Sequence, residues 1–198
     1  MDVLYYIILL PILAGMVLFL LPERLKAIKA LFALIVSIIV LYLGFLVYGY
    51  EPQTLQMALG AGSLSEGSLL REILDGAGQH TNLHIDPLSQ LITLFTGIFA
   101  VVIAIYSSRA IHRKKEIYHF YSFFLITLGC AIGAVMADSM LLFIFFWGIL
   151  GFTLYKLIKG QDEKSSAAAK KTLIIIGASD GIMILGIAII WQLTGTWN

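Results

Sequence analysis

At 198 residues, 60% of them hydrophobic and only 13% charged, the chain carries about half the charge that a soluble domain of its size spreads over its surface. A formal net charge of +1 leaves no basic face to track phosphates and excludes nucleic acid as a partner. The single cysteine, Cys130, lies in an apolar run; it excludes an intrachain disulfide and reads as a packed, inert thiol.

A spanning helix needs about 20 mostly apolar residues, and six runs meet that length. They are Val3–Leu21, Lys29–Gly49, Leu88–Ser107, Tyr118–Ala137, Ser139–Ile158 and Ala169–Leu193. The first reads as a retained span and not as a signal peptide, because Asp2 replaces the usual basic start and no small-residue cleavage site follows. Pro22 closes it. The fourth and fifth runs are separated only by Asp138 and Ser139, which predicts a tight turn at the membrane surface.

The loops set the orientation. Arg24, Lys26 and Lys29 follow the first run, Arg109, Arg113, Lys114 and Lys115 the third, and Lys156, Lys159, Lys164, Lys170 and Lys171 surround the loop after the fifth. These alternate loops share one side of the membrane, and of 13 Lys and Arg only Arg71 falls on the other. The positive-inside rule makes the basic side cytoplasmic. The expected fold is an all-α polytopic transmembrane bundle of six spans in the inner membrane, a single transmembrane domain over 1–198 with both termini on the outer, periplasmic side. Its one long outer loop, 50–87, has a short amphipathic patch (Leu69, Leu70, Ile73, Leu74) and a polar stretch from Gln79 to His84. It predicts a surface helix and a short strand. Trp191 and Trp197 suit an interfacial aromatic belt.

Asp180 falls near the middle of the sixth span, roughly 16 Å deep at 1.5 Å per residue. An ionised carboxylate there costs about 2.5–3.5 kcal/mol, so it faces protein or water. It reads either as a proton- or ion-relay group or as a hydrogen-bonded packing residue. Gly177 and Gly181 flank it at GxxxG spacing, and Gly129 and Gly133 repeat that spacing in the fourth span; both pairs predict close helix packing. Lys171 lies nine positions before Asp180, about 13 Å along the helix, too far for direct pairing. Lys156 and Lys159 read as headgroup-seeking cations. His80, His84, His112 and His119 lack the spacing of a metal site, and no nucleophile elbow, phosphate loop or dinucleotide fingerprint occurs. The sequence therefore indicates no catalytic site, metal or cofactor in this chain.

Three stretches, in order, resemble a known family. Leu83-His84-Ile85-Asp86-Pro87-Leu88-Ser89 is similar to its "hydrophobic-Asp-Gly-Leu-Ser" entry to the third helix. Ala137-Asp138-Ser139-Met140-Leu141-Leu142-Phe143-Ile144-Phe145-Phe146-Trp147, continued through Gly151 to Tyr155, resembles its "Ala-Asp-Asn-Leu…Phe-Trp-Glu" fifth helix. Lys171 with Gly177 to Asp180 resembles its sixth-helix "Lys-Ala…Arg-Val-Gly-Asp". The family is that of the antiporter-like subunits, the proton-pumping membrane subunits of respiratory complex I, membrane-bound hydrogenases and multi-subunit cation/proton antiporters. Two departures stand out: Gly148 occupies the place of the family's central glutamate, and Gly177 that of its sixth-helix arginine. The family's channel lysines lie on helices beyond the sixth, so the resemblance implies a fragment, a split subunit or a divergent one.

The resemblance implies proton-relay candidates Asp180, Lys171 and Asp138, and motif positions Asp86, Trp147, Gly148 and Tyr155. It further implies a membrane subunit of an ion-translocating complex that resembles an NADH:quinone oxidoreductase or hydrogenase. Its partners would be further antiporter-like helices, a redox module and the lipid bilayer. The alternative is a non-pumping subunit that anchors a hydrogenase-like or carbon-transport complex. An unrelated small transporter would need broken helices or inverted repeats at the midplane, and neither is evident.

Overall fold

The computed structural model describes residues 3–22, 25–51, 53–55, 82–110, 119–160 and 163–195. Among them are six helices: α1 (Val3–Leu20), α2 (Lys26–Tyr48), α3 (Pro87–Ala110), α4 (Phe120–Val135), α5 (Met140–Ile158) and α6 (Glu163–Thr194). Strands β1 (Gln53–Leu55) and β2 (Leu83–Ile85) pair antiparallel. The chain is a multi-pass membrane protein. The surface helix expected over Leu69 to Leu74 lies outside the described residues.

α3 illustrates how such a sequence folds. Its buried stripe, Ser89, Gln90, Thr93, Gly97, Ala100, Ala104 and Ser107, repeats at helical spacing and holds no large apolar side chain. The large ones, Leu88, Leu91, Phe95, Phe99, Val102 and Tyr106 among them, point outward. In a bilayer apolar side chains gain nothing by turning inward, so small and polar residues make the helix contacts. A methyl group on Gly97 would meet Leu41 Cα at 3.0 Å, and one on Gly44 would meet Leu94 Cα at 3.7 Å. These contacts fix the antiparallel α2–α3 register.

α4 is the hub, packed against α1, α2, α3 and α5. With 16 residues it rises only about 24 Å, while the other five helices are each long and apolar enough to cross a membrane. The span expected at Tyr118–Ala137 is therefore trimmed. A helix lined by protein does not have to match the hydrocarbon thickness. α1 seats on it through Gly15 and Gly129: a Cβ at Gly129 would lie 2.7 Å from Ile8 O, and one at Gly15 2.7 Å from Ser122 O. Gly133 gives way to the Phe146 ring of α5 in the same manner. Cys130 is buried there, 1% exposed.

The expected tight turn joins α4 to α5 through Met136–Ser139. β2 ties it down: His84 N–H donates to Met136 O at 2.8 Å, Asp138 N–H donates to Asn82 O at 3.0 Å, and Leu83 bridges Ala137. At the opposite end of α4, His119 takes a left-handed backbone (φ 57) and its ring packs on Phe19 at 5.0 Å.

Two expectations are corrected. Lys29, read as a cation of the basic loop, is 2% exposed inside the bundle; α2 begins at Lys26 and turns it inward. The Gly177–Gly181 pair was expected in a tight helix contact, but a Cβ at either would meet nothing within 4 Å. α6 rests on α5, with Ala169 its buried residue, and those two glycines lie on its open side.

Candidate ion-relay site

Ser139 caps α5, its Oγ accepting from Leu142 N at 3.2 Å. From that start, Phe143, Trp147 and Gly151 recur every four residues and share one face of α5. The Trp147 indole N–H donates to Asp180 Oδ1 at 2.8 Å. Phe143 stacks on the indole at 5.4 Å with 28° between the planes. A Cβ on Gly151 would stand 3.6 Å from Asp180 Oδ2 and 3.8 Å from Ile176. The carboxylate thus lies against α5, with one oxygen bonded to the indole and the other over a glycine. Trp147 is the eighth residue of the 19-residue α5, so the pair sits near mid-height of the bundle.

The other candidates lie apart from this pair. Asp138 is in the α4–α5 turn, nine residues before Trp147 and about 13 Å away along the axis. Lys171 is exposed on α6, about 13 Å from Asp180 along the helix. Gly148 faces open space, with nothing within 4 Å of its Cβ direction. Tyr155 lies at the far end of α5, where Lys159 Nζ is 5.7 Å and Lys156 Nζ 5.8 Å from its ring centroid. Both lysines cover aromatic rings at the helix end, as amphipathic stems do.

Asp86 has a structural task. Its Oδ1 accepts from Ser89 N at 2.7 Å, and Asp86 N–H donates to Ser89 Oγ at 2.9 Å. This reciprocal pair caps α3, with Pro87 in the first-turn position that needs no N–H. The Ser89 hydroxyl, then its backbone N–H, hold the Asp86 carboxyl below its ordinary value of 3.8. A carboxyl held low in the folded state adds stability above the unfolded pKa, and that stability is lost as pH falls through the folded value. Thermal unfolding in detergent should therefore show a drop below about pH 4 that Asp86→Asn lacks, while Ser89→Ala, which removes the hydroxyl that accepts the Asp86 N–H, should cost about 0.5–1.5 kcal/mol at pH 7.

Two features escaped the sequence reading. Gly151 was quoted within a motif without a task, yet the Asp180 carboxylate lies over it. The Trp147–Asp180 bond joins residues 33 positions apart, and no local pattern announces such a pairing.

A family model described as the transmembrane part of NADH:quinone oxidoreductase and Mrp antiporters matches residues 137–198, which hold the whole Trp147–Asp180 site. Over these residues the chain is similar to the membrane subunits of that family. Among relatives of this family, the Na(+)/H(+) antiporter subunit A1 of Staphylococcus haemolyticus is 31% identical over 121 residues, 60% of this chain and 15% of the relative. Subunit A1 of Staphylococcus saprophyticus is 25% identical over 119 residues, again 60% and 15%. In fold, the whole chain superposes on 39% of a chain from the membrane-bound sulfane sulfur reductase, an archaeal respiratory membrane complex, with a TM-score of 0.77 and 19% identity. The chain therefore spans well under half the length of the antiporter-like proteins it matches.

Proposed function

We propose that this antiporter-like chain is the relay-bearing part of an ion-translocating membrane complex, with Asp180 as the group that takes up and releases the proton. The observation that carries the reading is a carboxylate at mid-height of the bundle, held by Trp147 at 2.8 Å. An intramembrane acid is costly to place and marks an ion path by default. The names of the Staphylococcus relatives suggest sodium/proton exchange as the activity. Lys171 is the donor or acceptor next along α6, and Asp138 the exit group at the hairpin end, each reached through water or a neighbouring helix. Further antiporter-like helices, and a redox module where the complex is respiratory, are the partners. The chain sits in the inner membrane with both ends outside.

The test is sodium-driven proton movement in everted vesicles that hold the whole complex. Asp180→Asn should lower it with assembly intact, and unchanged movement sinks the reading. One observation favours a second reading, a scaffold that carries no protons: Gly148 leaves α5 without a carboxylate and faces open space. On that reading Asp180→Asn is silent and deletion of the chain breaks up the complex.

A further inference from the structure

The Asp180 carboxylate has two chemically equivalent oxygens, and its surroundings treat them differently. Oδ1 accepts the Trp147 N–H at 2.8 Å. Oδ2 lies over Gly151, where an added Cβ would be in ordinary van der Waals contact at 3.6 Å. The indole is itself steadied by Phe143, stacked at 5.4 Å one helical turn earlier. On one face of α5, Trp147 with Phe143 behind it therefore engages one of the two Asp180 oxygens.

We propose that Trp147 is a positioning residue that occupies Oδ1 and leaves Oδ2, on the Gly151 side, as the oxygen that exchanges the proton. The step is a simple protonation. Oδ2 gains a proton from the incoming path and later yields it to the outgoing one, while the indole keeps its own N–H throughout. Without the indole donor the carboxyl samples several rotamers, and only some of them present an oxygen to the path. The inference rests on Asp180 being the relay group.

A packing role for Trp147 makes a different prediction. An indole that only anchors α6 to α5 would, when lost, lower the amount of assembled complex without changing the turnover of each complex. The experiment therefore compares wild type, Trp147→Phe, Trp147→His and Asp180→Asn in everted vesicles, with sodium-driven proton movement normalised to assembled complex. Alongside, the carbon-13 aspartate infrared band of Asp180 is isolated by subtracting the Asp180→Asn spectrum. Trp147→Phe keeps an aromatic ring but loses the N–H; it should cut turnover about tenfold, the weight of one hydrogen bond to a charged group. It should leave the sodium KM unchanged and shift and broaden the Asp180 band. Trp147→His, which restores a ring N–H, should recover part of both.

Wild-type turnover in Trp147→Phe, or an unmoved Asp180 band, overturns the proposal. If Trp147→Phe does not accumulate, Phe143→Leu keeps the N–H but frees the indole. An intermediate rate with a broadened band then supports the proposal, and wild-type values overturn it. Silence of Asp180→Asn defeats the relay reading itself, whereas a defect in Asp180→Asn with none in Trp147→Phe defeats this inference alone.

Discussion

Gly129→Leu is expected to unfold the α1–α4 seam. Even a Cβ at this position falls 2.7 Å from Ile8 O and 3.1 Å from Pro11 Cγ. The first is backbone and the second a fixed ring, so neither can swing aside. Overpacking of a well-packed core typically costs about 1–3 kcal/mol, and more when backbone blocks relaxation. Alanine should fall within that range and leucine beyond it. The loss spreads because α4 packs against four helices, so lifting α1 exposes the hub. Denaturant titration of the detergent-purified chain reads the effect directly. Gly177→Leu is the control: with nothing within 4 Å of its Cβ direction, its cost in this chain should stay within about 0.5 kcal/mol. Equal stability of the Gly129 and Gly177 variants would refute the close α1–α4 approach.

Asp180→Asn is the second large expected effect, and on the proposed relay role it falls on function. Asparagine has the same shape, and its amide oxygen still accepts the Trp147 N–H, so α6 keeps its tie to α5 and the complex should assemble normally. What disappears is the carboxyl that the proposed relay needs to take and give a proton. Positioned proton-transfer groups contribute on the order of 10²–10⁴-fold, so proton movement should fall at least a hundredfold on that scale. Asp180→Glu keeps the acid but lengthens its reach by one methylene, and should retain a measurable fraction. Asp180→Ala should lower assembly as well, because it strands the indole donor. Comparable transport in the Asn and Glu variants would show that the acid itself is not what matters.

The residues differ in how far they could be read in advance. Asp86, Pro87 and Ser89 act within four positions of one another, so the capping pattern was visible as a motif. The turn at Asp138 and Ser139 was equally local, since a helix running through both spans would be longer than any bilayer needs. Asp180 could be singled out from depth alone, because an acid amid apolar residues has no bland environment in lipid. Gly177 and Gly181 show the limit of such reading. Their spacing matches that of Gly129 and Gly133, yet only the latter pair meets neighbours, because spacing names a small-residue face without naming what lies opposite.

The sequence by itself determined that the chain lives in a membrane as a bundle of apolar helices, and it singled out Asp180 as the costly group among them. These follow from composition and from one-dimensional length, since the hydrocarbon thickness sets a fixed count of apolar residues per crossing. Tertiary structure alone decided what Asp180 meets. It placed Trp147 on one carboxylate oxygen and Gly151 beneath the other, drew Lys29 into the bundle, and left Asp138 and Lys171 a distance away. The physical reason is that helix faces are set by packing. Almost any apolar face suits lipid, so hydrophobic pattern fixes where a helix runs but not which neighbour it turns toward.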